Sequence, residues 1–419
     1  MRILVVHNRY RSSIPSGEDR VVDRERQALV EAGHEVARFE ARSDDIATMP
    51  VTRKALVPLR LVWNRGAAAD LDRAITAVAP DVVHVHNTFP LLSASVLRQC
   101  TARGVPSVVT IHNYRLICPG GALYRTAAPC RDCTTRRFAV PGVAHGCYRT
   151  SPAATLPLAL ADFATRRTWR TAPSAYVFLS EALRRELAPL RLPAERCFVK
   201  GNFVEPAPPR GPAEPLVAYL GRLTEEKGLR VLMAGWDRYL AGASGRPPTL
   251  QLAVAGTGPL EPEIRSWAAG RPSVEMLGLL DQEGCADLLA RARAVVAPSE
   301  WPEPFGLVVA EAMAAGAVPI ATDHGAFADM VTDGVDGYRY PPGDAGALAR
   351  ILGTVEEAPP GALAAMGAAA RATHRRRFAT GDNVAALEEV YRFAIEHPRG
   401  RMYHGTDSAL SSPDHAPAG

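Results

Sequence analysis

Two glutamates in segment 299–316 have the spacing that most clearly indicates a ligand site. Glu303 precedes a helix that we expect to begin near Phe305, and Glu311 lies ~9 Å further along it at 1.5 Å per residue. A helix start attracts anions because its N–H groups are unpaired and its dipole is positive there. This pattern suits a ligand with hydroxyl groups on both sides of a phosphate, as in a nucleotide sugar. The alternative is an amphipathic helix with one capping and one solvent-facing glutamate.

A second set of candidate phosphate ligands follows the first apolar run of the second half. A strand runs into Gly221, the forked cation Arg222 comes next, and Lys227 stands five residues later at an expected helix start. Arginine binds phosphate through two hydrogen bonds, and lysine adds a mobile point charge. Gly256 and Gly258 form another strand-to-glycine exit, where backbone can approach a ligand. That turn alone is a weak signal, because such turns are common and the chain has neither a G-x-G-x-x-G nor a Walker lysine.

The first half offers a glycine turn and several histidines. Gly17 lies in a turn before a helix, His84 and His86 end one apolar run, and His112 ends the next. We expect these imidazoles to lie at the rim of a cleft. A histidine at a strand end is more often structural than functional, so both interpretations stay open for each of them.

Four of the seven cysteines are grouped in an arginine-rich insertion with the spacing C-x11-C-x2-C-x13-C. They are Cys118, Cys130, Cys133 and Cys147. The spacing is compatible with a tetrahedral zinc site in a reducing compartment, with two structural disulfides, or with unlinked thiols. A zinc ion here would be structural, because four thiolates leave no open position. The other three, Cys100, Cys197 and Cys285, are expected to be small buried hydrophobic residues.

The elements that must position these residues are predicted from short runs rich in valine and isoleucine, each followed by a helical stretch. Near-continuous apolar strands that alternate with helices predict parallel sheets covered on both faces, an α/β fold with two doubly wound domains. Ligands of such sheets lie at the carboxyl ends of the strands. The expected strands are 3–6, 82–86, 107–111 and 175–179, then 216–220, 250–255, 274–277, 294–297 and 317–322.

Five prolines within residues 205–215 predict a linker between two halves, because proline is excluded from helix interiors and central strands. We therefore expect an amino-terminal domain over 1–205, with the cysteine-rich insertion at about 115–150, and a second domain over 206–380. A terminal helix is expected over 381–396, and the polar stretch 397–419 is expected to be disordered.

The 419 residues are 47% apolar and 22% charged, which is ordinary globular composition, and 6% aromatics with 35 prolines are typical of a GC-rich bacterium. No apolar run reaches the ~20 residues that cross a bilayer, and the amino terminus lacks the features of a signal peptide. A cytoplasmic location is therefore predicted.

Residues 1–205 carry a net charge of +11 and the remainder −7. The basic half suits an anionic partner, but no nucleic-acid-binding motif is found. Stretches 51–65 and 156–170 combine arginine with apolar residues, and suit either an anionic membrane surface on the inner face or core packing with a basic edge.

These motifs, in this order, resemble glycosyltransferase family 4, whose members are retaining enzymes of the GT-B fold that use nucleotide-sugar donors. The resemblance extends to about residue 395. It implies that Arg222 and Lys227 hold the donor diphosphate, Glu303 binds the donor sugar, Glu311 binds the ribose, and the backbone of Phe305, Gly306 and Leu307 caps the distal phosphate. Gly221, Gly256 and Gly258 would line the donor site, with the base near Leu279. Gly17 matches one of the two adjacent glycines usual in the family, with Ser16 in place of the other. His112 occupies the T-x-H position, where the histidine approaches the donor sugar and the acceptor.

The resemblance also implies transfer with retention by front-face attack, without a protein nucleophile or a required metal, from a nucleoside-diphosphate sugar to a glycan or lipid-linked acceptor. Cell-surface polysaccharide or glycolipid synthesis is the expected setting. Asp70 and Asp72 form a D-x-D, but a helical pattern places them on the surface. The alternatives are a GT-B-fold epimerase, for which His324 is the nearby proton-transfer candidate, and a non-catalytic nucleotide-sugar-binding subunit. A binding subunit should have lost Arg222, Lys227 or a motif glutamate, and all are present.

Overall fold

A computed structural model describes residues 1–13, 16–208, 211–242 and 248–399. The fold is α/β, with two six-stranded parallel sheets, each covered by helices on both faces, as the apolar runs predict. Segments 205–208 and 211–215 of the expected linker contain neither helix nor strand. The tail expected to be disordered lies outside the described residues from 400 onward.

The amino-terminal sheet and a small hairpin contain the first eight strands. They are β1 (Arg2–Arg9), β2 (Glu35–Arg42), β3 (Val82–Val85), β4 (Ser107–Ile111), β5 (Tyr124–Arg125), β6 (Ala128–Pro129), β7 (Ala175–Phe178) and β8 (Cys197–Val199). The sheet order is β2-β1-β3-β4-β7-β8, and the two-residue strands β5 and β6 pair separately inside the cysteine-rich insertion.

The amino-terminal half contains nine α-helices in the described residues. They are α1 (Gly17–Glu31), α2 (Asp45–Thr48), α3 (Val51–Ala55), α4 (Val57–Val62), α5 (Arg65–Val78), α6 (Ser95–Arg103), α7 (Val140–Ala144), α8 (Pro152–Thr171) and α9 (Glu181–Glu186). Successive side chains of a strand point to opposite faces, so Leu4 and Val6 pack in one helical layer while Ile3 and Val5 pack in the other.

The second sheet has the order β11-β10-β9-β12-β13-β14. Its strands are β9 (Leu216–Leu220), β10 (Gln251–Ala255), β11 (Val274–Gly278), β12 (Ala294–Ala297), β13 (Val318–Thr322) and β14 (Tyr338–Tyr340). Its helices are α10 (Leu229–Gly242), α11 (Glu261–Ala268), α12 (Gln282–Arg291), α13 (Leu307–Ala315), α14 (Gly325–Met330), α15 (Ala345–Glu357) and α16 (Pro360–Arg377).

The terminal helix, α17 (Thr380–Glu396), returns to the amino-terminal sheet. Leu387, Val390 and Tyr391 are buried there against Ile3 and Val5. Each such side chain contributes about 1.5–3 kcal/mol of burial free energy, so the last helix is part of the first domain's core.

Two details differ from expectation. Helix α13 begins at Leu307, two residues after Phe305, because Gly306 has a positive φ of 109° and so stands outside the helix. Cys100 is buried as expected, but Cys197 and Cys285 are only half-buried. Asp70 and Asp72 lie on α5, as predicted, where they pair with Arg73 and Arg103 at the surface.

Candidate active site in the cleft between the two sheets

The loops that leave β9, β10 and β12 meet at the carboxyl edge of the second sheet. The N–H of Gly221 donates to the Ala255 carbonyl at 3.0 Å, and a Cβ at position 256 would stand 1.8 Å from the Gly221 carbonyl oxygen. The Glu300 N–H donates to the Glu226 carbonyl at 2.9 Å. Only glycine at position 256 permits the close approach to Gly221, which joins the loops after β9 and β10. The hydrogen bond between Glu300 and Glu226 holds the Glu303 loop against the Arg222/Lys227 loop.

Lys227 and Glu303 form an ion pair inside this junction. The Lys227 Nζ lies 2.6 Å from Glu303 Oε1, which also accepts a 2.7 Å hydrogen bond from the Ser299 hydroxyl. Burial alone would raise the pKa of Glu303, but the Lys227 charge and these hydrogen bonds outweigh it and lower the pKa. The ammonium also lies 5.3 Å from the Trp301 ring centroid. The carboxylate therefore stays ionised.

Arg222 lies at the open side of the same junction. Its guanidinium is about half exposed and pairs with Glu226, four residues later in the chain, at 3.2 Å. Exposed pairs of this kind contribute little stability, so the guanidinium can exchange Glu226 for another anion at small cost.

The start of α13 presents unpaired backbone donors to the cleft. In the described part of the chain, the N–H groups of Gly306, Leu307 and Val308 donate to no protein acceptor. A Cβ at position 306 would stand 2.3 Å from the Phe327 ring, so this turn requires glycine. The side chain of Phe305 is buried in the core, which leaves only its backbone to face a ligand.

Glu311 of the second domain and Gly17 of the first domain each lie close to residues of the other domain. The Glu311 carboxylate on α13 lies 3.9 Å from Arg24 on α1, and burial raises its pKa despite Arg20 and Arg24. A Cβ at Gly17 would lie 3.4 Å from the Leu307 side chain. The amino-terminal glycine turn thus approaches the start of α13.

The His112 loop of the first domain lies beside the Glu303 loop. The Tyr114 hydroxyl donates to the Pro302 carbonyl at 2.7 Å, and the Ser180 hydroxyl donates to the Pro304 carbonyl at 2.8 Å. Strands β3 and β4 end on this side of the first domain, where His86 and His112 line a cavity formed by first-domain residues.

A cavity of about 90 Å³ opens beside His112. Its polar walls include Asn113, Arg115 and Asp162, and Arg115 stands 4.1 Å above the Phe89 ring centroid. Burial raises the pKa of Asp162 to about 7, despite two neighbouring arginines. The motif search did not identify Asp162, because a single aspartate within the arginine-rich helix α8 has no distinctive spacing.

Motif reasoning also missed a buried ionic cluster beneath the two histidines. Glu25 on α1 accepts from Lys200 at 2.9 Å, and His84 and His86 each place a ring nitrogen 3.3 Å from it. Two signals were present in the sequence. Glu25 stands among Val21, Val22 and Leu29 on the apolar face of its helix, and the chain has only three lysines among 48 basic residues.

Glu25, His84 and His86 also have ligand atoms within 4.8 Å of one another, a spacing that suits a metal ion. The Glu25 carboxylate is already paired with the Lys200 ammonium, and the Tyr391 hydroxyl is hydrogen-bonded to His84 Nδ1 at 2.7 Å. An internal cation thus stands where a metal would bind. These residues do not fit a metal ion.

The four clustered cysteines line one small cavity and are free thiols. The Gly142 N–H donates to Cys133 Sγ at 3.2 Å, and burial raises the pKa of Cys133 to about 11. Among the described residues no three of these sulfurs lie within 4.8 Å of one another. The four cysteines therefore line a common cavity, but their sulfurs lie further apart than the ligands of a bound metal ion.

Eight of the thirteen large apolar side chains that are exposed in the described residues belong to α3, α4, α7, α8 and their flanking positions. They are Val51, Leu56, Leu59, Trp63, Val140, Leu156, Leu160 and Phe163, which we call the apolar face. Helix α8 packs against both α4 and α7, so these residues share one side of the first domain. No described helix combines the length and hydropathy that crossing a bilayer requires.

Comparison with protein families finds two matches that together cover most of the chain. Residues 15–207 match the model described as Glycosyltransferase Family 4, and residues 214–356 match Glycosyl transferases group 1.

Curated relatives match over a shorter segment. A phosphatidyl-myo-inositol mannosyltransferase of Mycobacterium leprae (strain TN) is 38% identical over 138 residues, 32% of this chain and 36% of the relative. A glycogen synthase of Mycobacterium tuberculosis (strain H37Rv) is 36% identical over 159 residues, 38% of this chain and 37% of the relative. The chain thus matches little more than a third of the length of each.

Solved structures match over nearly the whole chain and show the fold. Anabaena Alr3699/HepE in complex with UDP superposes with a TM-score of 0.66 at 18% identity, covering 94% of this chain and all of that one. Sucrose-phosphate synthase from Thermosynechococcus elongatus gives 0.66 at 18% identity, covering 93% and 98%. Both sheets belong to the GT-B architecture that the motifs led us to expect.

Proposed function

The chain belongs to glycosyltransferase family 4, and from that premise we propose that it transfers a sugar, with retention, from a nucleoside-diphosphate sugar to a glycan or lipid-linked acceptor. One observation carries the proposal: two cations, an ionised carboxylate and free helix N–H groups converge at one edge of the cleft. Cations and backbone donors suit a diphosphate, and a carboxylate suits sugar hydroxyls.

In the proposed reaction the bond between the anomeric carbon and the diphosphate oxygen breaks, and its electrons leave with the nucleoside diphosphate. Arg222, Lys227 and the N–H groups at the start of α13 neutralise that developing charge. The acceptor hydroxyl attacks the same face of the sugar, and its proton passes to the departing phosphate oxygen. Glu303 orients the sugar hydroxyls and Glu311 binds the ribose.

The acceptor is proposed to enter through the cavity beside His112. Arg115 supplies a positive charge there, Asp162 supplies a carboxyl group whose pKa is about 7, and Asn113 supplies an amide. Such walls suit a polyhydroxylated acceptor. The family matches and the named relatives support a glycosyltransferase over an epimerase.

Transfer is tested by incubating the protein with UDP-, GDP-, ADP- and TDP-sugars and following release of the nucleoside diphosphate. We expect turnover with one base class and, with an acceptor, an anomeric configuration unchanged by NMR. Inversion, or no turnover with any donor, contradicts the proposal.

The apolar face is proposed to rest on an anionic membrane. Arg53, Lys54, Arg60 and Arg166 lie among its residues, and this combination of apolar and basic side chains suits the headgroup region. Co-sedimentation with phosphatidylglycerol vesicles should exceed that with phosphatidylcholine vesicles, and Leu59→Glu/Phe163→Glu should abolish it. Val335→Glu, at an equally exposed apolar residue of the other domain, is the control. Binding that ignores lipid charge contradicts the proposal.

Cys118, Cys130, Cys133 and Cys147 are proposed to bind a structural zinc ion that draws the four sulfurs inward. The shared cavity, the free thiols and the Gly142 N–H bond to sulfur support this. Protein purified without chelator should contain about one equivalent of zinc, and Cys133→Ser should lose it while Cys285→Ser keeps it. Less than ~0.2 equivalents in the parent protein excludes the site.

A further inference from the structure

His112 ends a continuous line of hydrogen-bonding groups that begins in the buried ionic cluster. His86 Nδ1 lies 3.0 Å from His112 Nε2, and His86 Nε2 lies 3.3 Å from Glu25 Oε1. Lys200 holds the other Glu25 oxygen at 2.9 Å. In a neutral histidine one nitrogen donates and the other accepts, so the partner of one nitrogen decides the state of the next ring.

The Glu25 carboxylate determines which nitrogen of each imidazole donates a hydrogen bond and which accepts one. Burial opposes ionisation of Glu25, but the Lys200 ammonium and the hydrogen bond from His86 outweigh it and hold the pKa of Glu25 well below the usual range. The His86 nitrogen that faces this carboxylate must therefore carry a proton. Burial lowers the pKa of His86, so the ring is neutral and its Nδ1 is an acceptor.

The same logic fixes the second imidazole. Because His86 Nδ1 accepts, His112 must donate from Nε2, and His112 Nδ1 keeps its lone pair. Burial lowers the pKa of His112 as well, which excludes a doubly protonated ring near neutral pH. In the described part of the chain Nδ1 has no protein partner, and His112 lines the cavity proposed for the acceptor.

We propose that Glu25 and His86 are positioning residues that fix the tautomer of His112, so that its unprotonated Nδ1 accepts a hydrogen bond from a substrate hydroxyl. The ligand is a sugar hydroxyl in the cavity beside the cleft, and this assignment of the ligand rests on the proposed function.

The terminal helix completes the arrangement from the far end of the chain. The Asn383 side chain accepts from Lys200 at 2.7 Å and donates to the Gly201 carbonyl at 2.6 Å. Tyr391 bonds His84, whose other ring nitrogen contacts the Thr110 hydroxyl at 2.8 Å. Helix α17 thus positions the Lys200 ammonium that keeps Glu25 ionised. His84 lies against the Glu25 carboxylate but makes no contact with His112.

His84 therefore provides a matched control. His86→Phe and His84→Phe each remove one buried imidazole from Glu25, but only the first removes the acceptor of His112. His86→Gln is the conservative rescue, because its amide can donate to Glu25 while its carbonyl accepts from His112.

The direct test is long-range ¹H–¹⁵N NMR of histidine-labelled protein, with His112→Gln used to assign the resonances. The parent protein should show His112 protonated at Nε2 and unprotonated at Nδ1. His86→Phe should give mixed tautomers and lower kcat about tenfold, the effect of one lost hydrogen bond. His86→Gln should restore most of both values, and His84→Phe should leave the His112 resonances unchanged.

A proton on His112 Nδ1 in the parent protein overturns the proposal. So does a His86→Phe spectrum that matches that of His84→Phe. If His86→Phe does not fold, the parent and His86→Gln spectra still decide the tautomer. The NMR result does not require turnover, so failure of the proposed function would appear separately, as a correct tautomer in a protein that transfers no sugar.

Discussion

Lys227 and Glu303 neutralise each other at 2.6 Å across two loops of the second domain. The pair joins the residue proposed for the diphosphate to the residue proposed for the sugar, so a bound donor would contact both. Before binding, the pair keeps two buried charges from being left without a partner, and removing either one exposes the other.

Lys227→Ala should lower kcat by about 10²-fold, because the loss of one group that stabilises transition-state charge costs about 3 kcal/mol. Steady-state kinetics with saturating donor measures this. Arg230→Ala, which removes an exposed cation three residues away, should change kcat less than twofold. Equal kinetics for the two variants would argue against the assigned role of Lys227.

Glu311→Gln should raise the donor KM with little change in kcat, since ribose contacts act equally in ground and transition states. Burial raises the pKa of Glu311, so the parent enzyme should lose donor affinity on acidification earlier than an ordinary carboxylate would. The variant should lack that pH dependence. A donor KM that follows the same pH profile in both proteins would refute the ribose contact.

Gly306→Ala should destabilise the protein by about 1–3 kcal/mol, because the added methyl group meets the Phe327 ring at a positive φ. Thermal unfolding gives the value. Gly353→Ala, inside α15 with open space around it, is the control and should stabilise by about 0.5–1 kcal/mol. A Gly306→Ala protein as stable as the parent would contradict the turn geometry.

Lys200→Met should destabilise the protein by about 3–5 kcal/mol, since Glu25 would remain as an uncompensated buried charge. The double variant Glu25→Gln/Lys200→Met should recover most of that loss. Because the folded-state pKa of Glu25 lies below its unfolded value, its contribution is present above pH ~4.5 and is lost as the pH falls through the folded value. Acid titration of the double variant should show a shallower loss than the parent.

Asp162→Asn should raise the acceptor KM and leave donor hydrolysis unchanged, because the carboxylate lines the cavity beside His112 and lies apart from the donor loops. The raised pKa of about 7 predicts that acceptor binding in the parent changes between pH 6 and 8. A variant with an unaltered acceptor KM at both ends of this range would remove Asp162 from the acceptor site.

The interior of both sheets could be predicted from the sequence because central parallel strands are buried on both faces and therefore read as apolar runs. In the two large sheets the strands that were missed, β2, β8 and β14, lie at sheet edges, and the short hairpin of β5 and β6 was missed as well. Strand β2 is only partly buried along its length, and four charged residues interrupt its apolar ones, so no apolar run stands out. An edge position relaxes the demand for hydrophobic residues.

The motifs also indicated that the Arg222/Lys227, Gly256 and Glu303 loops lie near one another, because these loops follow neighbouring strands whose ends meet at one edge. The ion pair between Lys227 and Glu303 was not foreseen. The buried cluster escaped for a different reason: Glu25, Lys200 and Tyr391 come from distant parts of the chain, and only tertiary packing brings them together. A charged residue on an apolar helix face signals a buried partner but does not identify it.

The most direct test of the account is a structure of the protein with the nucleoside diphosphate that best protects it against thermal unfolding. We predict that the diphosphate contacts Arg222, Lys227 and the first N–H groups of α13, and that Glu311 bonds the ribose hydroxyls. A diphosphate bound elsewhere, with Lys227 still paired to Glu303 and Arg222 turned to solvent, would contradict the assignment.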